Sequence, residues 1–526
     1  WGEMPLRKVR IYGPWVLTMV LLIVATGVPV ARAQTYTDLF SFGGAHGDSP
    51  FYPQLLAQGR DGNLYGTAAF GNHGRGVAFR VTPDGTAKVL YDFDGVHGVN
   101  PNSGLTLGTD GSFYGTTSED GSNGWGTIFK ITPNGRLTVL YNSNETLGQP
   151  QAPPIQAGDG NFYGTTMKRA YDITPSGTLT TLALLPGKSD APLVQATDGS
   201  FYGTTIDGGR GDTGTVFRMT PDGVLTVLYN FSGKSSEPRN PMAPLIQASD
   251  GSFYGTTYNG GSNQDGTVFQ IIPRQVFTVL HDFLDPNYPN DGAVPSAGLL
   301  QASDGNFYGA TYYGGTGAGV IFEITAAGAY SVVYVLDPSS GEYPASTPMQ
   351  HTNGKIYGLT EAGGTDNYGV VYSLDLGLPP FVRLLPTIGK VGETIEFLGQ
   401  GFTGDNRCFL QRNGRSLHSR VGHLSHGGRS ERGHNRHGHS HYPRRPAEQQ
   451  SAFPRNPVML YRSFDTLAAC ARGPSRANDR RVANESRLRI YVPPSINSAP
   501  SGADGAALGY CQPVNLNEEF LWINGL

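Results

Sequence analysis

Charged side chains are scarce in this 526-residue sequence, at 15%, and cysteine is scarcer, with three residues. Cys408, Cys470 and Cys511 all lie late in the chain, so the long stretch before them has to hold together without disulfides. Motif chemistry is missing too: there is no G-x-S-x-G nucleophile turn, no H-E-x-x-H zinc helix and no D-x-D-x-D-G calcium loop. Basic charge is what residues 34–380 lack most, with 15 Lys and Arg against 30 Asp and Glu, a net −15. An acidic body repels phosphate backbones and anionic headgroups, which argues against nucleic acid or a membrane surface as its partner. Residues 381–526 carry the opposite balance, 19 basic against 11 acidic, a net +8.

A long apolar run is also absent. The stretch from Trp15 to Val24 is shorter than the ~20 residues that span a bilayer core. It follows Arg7, Lys8 and Arg10 and precedes Gly27, Pro29 and the small-x-small triplet Ala31-Arg32-Ala33. That is the layout of an export signal read from Met4, with cleavage expected after Ala33. Residues 1–33 are therefore expected to be a signal peptide. The mature chain is expected to be secreted or to lie at the cell surface or in the periplasm, with no membrane insertion once the signal is removed.

Glycine, tyrosine and phenylalanine are plentiful, at 74, 27 and 25 residues, and they recur in register. Tyr-Gly returns at Tyr65, Tyr114, Tyr163, Tyr202, Tyr254, Tyr308 and Tyr357, at spacings of 49, 49, 39, 52, 54 and 49. Each copy holds four strand-like stretches, clearest from Met242 onward as PLIQAS, FYGTT, GTVFQI and TVLHDF. Asp-Gly joins the first stretch to the second at Asp110-Gly111, Asp198-Gly199, Asp250-Gly251 and Asp304-Gly305, and predicts a two-residue hairpin turn. Pro-x-Gly joins the third to the fourth, as at Pro83 to Gly85 and Pro221 to Gly223, where proline presets φ and glycine closes the turn.

A sheet of four such short strands cannot bury both faces alone, so the copies must stack in a ring or an open array. The last copy distinguishes the two. It runs from Lys355 into Pro379-Pro380 without a fourth strand, whereas Thr35 to Phe42, TYTDLFSF, is a fourth strand with no first three before it. A strand from the N-terminus that completes the last sheet closes a ring and removes the exposed edge. The fold expected is all-β: a seven-bladed β-propeller over residues 34–378, closed by an N-terminal strand. The tight turns then share one face of the disc, and the other receives the Gly-rich loops and the blade-to-blade links. Variable loops on a rigid scaffold are where function sits, so the loop face is the one to search.

The repeat, with its GG-x(4)-GTVF core from Gly260 to Phe269, resembles the "GloVer" tandem repeats of secreted bacterial choice-of-anchor proteins, and is similar to periplasmic propellers of two-component sensors. The resemblance runs from Asp38 to about Leu376 and implies an exported propeller without an assigned activity. The third copy, FYGTTMKRAYDITPSG, lacks the double glycine, which predicts a short bend over Met167 to Tyr171. Residues 379–411, including FVRLLPTIGKVGETIEFLGQGFTG, resemble the opening of an IPT/TIG immunoglobulin-like domain. From Arg412 the alternation stops, and residues 412–526 read as an irregular, disordered or frameshifted tail. Seven of the 12 His fall within residues 418–443. Clustered imidazoles suit metal ions, but a one-base shift with permitted codons turns this stretch into the Thr- and Val-rich sequence that continues a TIG domain.

Candidate site residues come from the loop face. Tyr258, Tyr312 and Tyr313 enter its Gly-rich loops, where tyrosines stack on sugar rings, with Asn259, Asn263 and Asp265 as hydrogen-bonding partners and Asp207 and Asp212 alongside. No catalytic residue, metal site or cofactor is assigned. Trp125 is the one Trp in the body, sparse for a lectin or a quinone-cofactor propeller, and the Asp-Gly pairs read as turns rather than calcium ligands. Asp207, Asp212, Asp265, Asp291, Glu342, Glu361 and Asp366 form an acidic rim that favours solubility, although two carboxylates about 5 to 10 Å apart would permit glycoside hydrolysis. His46, His73, His97, His281 and His351 share no spacing and read as structural or exposed. The function expected is a monomeric, non-catalytic binding or scaffold module for an extracellular glycan or protein. The alternative is a carbohydrate-active enzyme, a glycoside hydrolase or lyase, using loop carboxylates.

Overall fold

A computed structural model of the chain describes residues 34–381, apart from 44–46, 48–49, 51–54, 72–73, 273–275, 285–290 and 345, together with the backbone of six short strands further on. The expected signal peptide, His46, His73 and the histidine-rich tract beyond His418 lie outside the described residues. Seven antiparallel sheets succeed one another along the chain, six of them of four principal strands taken in sequence order and the seventh completed by the first strand of the chain. Blades are numbered by their Tyr-Gly strands: Leu64–Ala68, Phe113–Thr117, Phe162–Thr165, Phe201–Thr205, Phe253–Thr257, Phe307–Thr311 and Ile356–Ala362. These second strands are buried along almost their whole length, which is why they read as unbroken runs of aromatic, Gly and Thr residues. The fourth strands, such as Leu137–Asn142, lie at the rim, and each leaves at least one side chain to solvent.

Blade 7 closes the ring as the sequence predicts. Its outer strand is Thr35–Ser41, paired antiparallel with Val370–Asp375 so that Tyr36 lies opposite Leu374 and Ser41 opposite Val370. Tyr36 stacks on Tyr334 of blade 6 at 4.1 Å and on Tyr372 of blade 7 at 5.4 Å. Its hydroxyl donates to the carbonyl of Ser340 in the link between those blades.

The turn chemistry differs from expectation in one respect. Gly108 donates its N–H to the carbonyl of Ser112, and Gly111 donates to the carbonyl of Gly108, which makes a three-residue loop rather than a two-residue turn. Only the glycine takes positive φ, +83° at Gly111. Asp110 is thus free of that demand and accepts from the Ser112 N–H at 2.9 Å and the Tyr114 hydroxyl at 3.0 Å. Pro-x-Gly uses the same geometry. Gly85 donates to the carbonyl of Thr82, and a Cβ on it would lie 2.4 Å from the carbonyl oxygen of Leu39 on the neighbouring outer strand. In blade 3 the bend is shorter than predicted, confined to residues 166–168. Tyr171 is therefore inside the third strand, Arg169–Ile173, where most other blades carry Phe.

Each joint between blades repeats a small set of contacts. In six blades the Tyr of Tyr-Gly donates its hydroxyl to the turn Asp four residues earlier, at 2.7 to 3.1 Å, and in blade 7 Asn353 stands in, donating to Tyr357 at 2.8 Å. At five joints the same Tyr ring lies 3.8 to 4.2 Å from the Phe that opens the next blade's second strand, as in Tyr65–Phe113 and Tyr254–Phe307. At six joints a first-strand Gln accepts a backbone N–H from the preceding blade, for instance Thr197 to Gln247 and, across the closure, Thr352 to Gln58, at 2.7 to 3.0 Å. Leu107 takes the Gln position at the remaining joint, where the Arg60 guanidinium donates to the carbonyl of Thr109 instead.

Beyond the ring, Arg383–Leu385, Thr394–Leu398 and Leu488–Tyr491 pair into one sheet, and Arg415–His418, Arg407–Arg412 and Leu521–Asn524 into another. The other residues expected in the TIG-like segment and tail, except those near Pro379 to Phe381, lie outside the described residues.

Candidate functional site

The second strands end on the loop face, and the segments that lead on from them differ from blade to blade. In blades 2 and 5 the incoming link touches the second strand's extension through one bridge, Val99 to Glu119 or Arg239 to Asn259. Blades 6 and 7 have more. Gly292–Ala293 pairs with Tyr313–Gly314, and Glu342–Pro344 pairs with a second strand that runs on to Ala362. This extra pairing raises a small structured wall where tyrosines are concentrated.

Tyr312 lies at its centre. Its hydroxyl donates to Glu361 Oε2 at 2.9 Å, and its ring stacks on Tyr343 with centroids 4.7 Å apart and planes 12° from parallel. Tyr313 stands edge-on to both, 4.8 Å from Tyr312 and 5.7 Å from Tyr343, and is 41% exposed. Burial pushes the Tyr312 hydroxyl well above the ordinary phenol range, and the charge and hydrogen bond of Glu361 push it further. It is therefore held as a neutral donor rather than a phenolate nucleophile. Burial also raises the Glu361 carboxyl, with the Tyr312 hydrogen bond pulling the other way. The Tyr258 hydroxyl is raised by burial and then by Tyr313 and Glu361, which puts blade 5 within electrostatic reach of the group.

Backbone strain occurs at the same place. In four blades the link residue before a Pro takes positive φ, at Asn100, Asn240, Val294 and Tyr343, with +54°, +56°, +58° and +58°. Asn tolerates the left-handed region, whereas a β-branched or bulky side chain there is an outlier held by its surroundings. Val294 and Tyr343 are the two outliers, and they flank Tyr312: the Tyr312 N–H donates to the carbonyl of Val294, and the Tyr343 ring covers Tyr312.

The other predicted residues have separate tasks. Asn259 donates through Nδ2 to Asn240 Oδ1 at 3.3 Å, and Asn263 to the carbonyl of Phe283 at 3.3 Å, so both brace the blade 5 loop. The Asp265 carbonyl accepts the N–H of Val294 at 2.7 Å. Asp207 accepts the Lys188 N–H at 2.6 Å, and Asp212 the Gly208 N–H at 3.0 Å, both within blade 4 and its link. The structure thus brings Tyr312 and Tyr313 into ring contact, leaves Tyr258 linked to them only through its electrostatic interaction with Tyr313, and gives the five polar candidates local bonds. Tyr343 was missed, although aligning the X-Pro pairs Asn100-Pro101, Asn240-Pro241, Val294-Pro295 and Tyr343-Pro344 would have brought it forward. Asp291 departs from the solvated rim. It is 4% exposed, pairs with His281 at 3.2 Å and accepts the N–H groups of Leu284 and Gly292. Burial pushes its carboxyl up, but His281 and those N–H groups outweigh this and leave it below the ordinary range. Among the described residues, no group of three or more His, Cys, Asp or Glu is placed to hold a metal ion.

The family model of the Gloeobacter/Verrucomicrobia repeat matches residues 29–189 and 169–372, which is most of the chain and nearly the whole ring. The chain belongs to that repeat family. No curated protein matches the sequence. Solved structures similar to this Gloeobacter/Verrucomicrobia repeat protein include a streptogramin B lyase, at 16% identity, 65% of this chain, 98% of that chain and a TM-score of 0.47. A catalytically inactive virginiamycin B lyase from Staphylococcus aureus, in complex with quinupristin, gives 16%, 65%, 99% and 0.47. A gluconolactonase from Xanthomonas campestris gives 13%, 66%, 93% and 0.36. The assignment of the repeat protein as a propeller rests on its own seven sheets, and these likenesses assign it no activity.

Proposed function

We propose that this repeat protein is an exported, monomeric, non-catalytic binding propeller whose loop face takes a glycan at Tyr258, Tyr312, Tyr313, Tyr343 and Glu361. The observation that supports this most is the strained Tyr343, stacked on a Tyr312 whose hydroxyl is fixed by Glu361. Strain of this kind persists where surroundings impose it, and here it builds an aromatic platform with Tyr313 exposed at its edge. Tyrosine faces suit the apolar faces of sugar rings, and phenol and carboxylate oxygens suit their hydroxyls.

The alternative, a glycoside hydrolase or lyase, draws on one fact: a partly buried Glu361 with a raised carboxyl has the character of a general acid. Both readings are tested by titrating soluble polysaccharides against wild type and Tyr313→Ala while assaying released reducing ends. Binding without release, weakened about tenfold by the substitution, is the expected result. Release of reducing ends that is lost in Glu361→Gln would replace this reading with the enzymatic one.

A further inference from the structure

The chemistry of the platform narrows the kind of sugar it takes, an inference that rests on the glycan reading above. Glu361 is a partly buried carboxyl whose hydrogen-bonding partner, Tyr312, is neutral. A carboxylate drawn out of water gains most from a cation, because burial has already removed its hydration and a neutral hydroxyl returns only part of what was lost. Phenols stand beside it. Tyr312 and Tyr343 present a stacked pair, Tyr313 stands edge-on at 41% exposure, and Tyr258 lies within electrostatic reach of Tyr313 and Glu361. Phenol rings attract cations through their π faces, and phenol oxygens accept N–H donors.

The wider field has the same sign. Residues 34–380 carry a net −15. Nearby, Glu342 adds its own negative influence on Tyr343. Acidic sugars are repelled by this surface, neutral sugars are indifferent to it, and cationic sugars are drawn toward it.

We infer that the loop-face site of blades 5 to 7 selects amino sugars bearing a free, protonated amine, with the ammonium group directed to Glu361 and the sugar ring laid against the tyrosines. An N-acetylated sugar presents the same ring with a neutral amide in place of the ammonium, so it isolates the charge from the stacking.

The experiment is a calorimetric titration of the full chain with a fully deacetylated glucosamine hexamer, its fully N-acetylated counterpart and a lysine hexapeptide, at a pH where amine and carboxyl are both charged. The deacetylated hexamer is expected to bind about tenfold tighter than the acetylated one. Glu361→Gln, which keeps an acceptor for Tyr312, is expected to weaken the deacetylated hexamer about tenfold more than the acetylated one, so that the preference between them is lost. Circular dichroism of the variant confirms that the ring is intact. Equal or tighter binding of the acetylated hexamer overturns the amine selectivity and leaves the glycan reading standing. Binding of neither hexamer overturns both. Lysine peptide bound as tightly as the deacetylated hexamer overturns the sugar assignment and identifies the site as one for cationic peptide.

Discussion

The two faces of the disc are built by opposite rules. On the turn face each blade repeats its neighbour: a turn Asp accepts a Tyr hydroxyl, a Gln receives the previous blade's N–H, and glycine alone takes positive φ. These repeated Asp, Tyr and Gln groups have partners within their own blade or the adjacent one, and the aromatic rings sit between blades. On the loop face links differ in length and pairing, two side chains are held in a backbone region they disfavour, and a carboxyl is partly buried against phenols. A repeated contact serves the ring and must suit every joint. An unrepeated one serves no joint in particular, so the departures from the repeat are where binding chemistry has room to develop.

The strongest test of this contrast compares one tyrosine from each face. Tyr254 is fully buried, lies 4.2 Å from Phe307 and bonds to Asp250 at 2.7 Å. Tyr254→Ala is expected to cost about 3–5 kcal/mol in urea unfolding. Tyr313→Ala should fall within about 0.5 kcal/mol of wild type while weakening the ligand. Comparable losses from both would erase the distinction.

Next in size is the strain. Val294→Asn gives blade 6 the residue that blades 2 and 5 already carry at this place. It is expected to stabilise the protein by about 1 kcal/mol, read as a higher urea midpoint. A lower midpoint would mean that contacts of the valine outweigh its backbone cost.

The smallest expected effect is at Glu361. Burial raises its carboxyl in the folded state, more than the Tyr312 hydrogen bond lowers it. An acid raised on folding favours the folded state while protonated and opposes it as pH climbs through the folded value. Glu361→Gln should therefore match or slightly exceed wild-type stability at neutral pH, by less than about 1 kcal/mol. The difference should vanish near pH ~4, where the unfolded carboxyl also takes up its proton. A variant markedly less stable at neutral pH would make Glu361 part of the scaffold.

The ring was legible in the sequence because its signals are local and multiplied. Tyr-Gly strands and turn residues at fixed offsets are weak once and decisive when repeated, and the single fourth strand displaced to the N-terminus closes the count. The loop shape was misjudged because Asp-Gly suits two hairpin geometries. What selects the longer one is a second use of the aspartate, as acceptor for a tyrosine four residues on. The candidate site was legible in part. Tyr258, Tyr312 and Tyr313 sit at fixed offsets in the repeat, so alignment exposed them. Tyr343 lies in a link of variable length, and Glu361 was one of seven loop carboxylates until the Glu342–Pro344 strand was seen to pair beside it. Asn259 and Asn263 are near Tyr258 in sequence, but their loop turns back onto its own blade and uses both amides.

The closing strand also sets an order in time. Tyr36 and the Ser340 carbonyl it holds are 304 positions apart, and the pairing partner of Thr35–Ser41 is the third strand of the last blade. A chain made from its N-terminus exposes this strand before the other strands of the ring and must keep it unpaired until nearly all the ring exists. The entropy of joining such distant ends grows only with the logarithm of their separation, so the wait adds little to the final balance. It does govern the route: the ring's first strand in sequence is the last to find its place, and until it does, the nascent disc carries an open edge at Val370–Asp375.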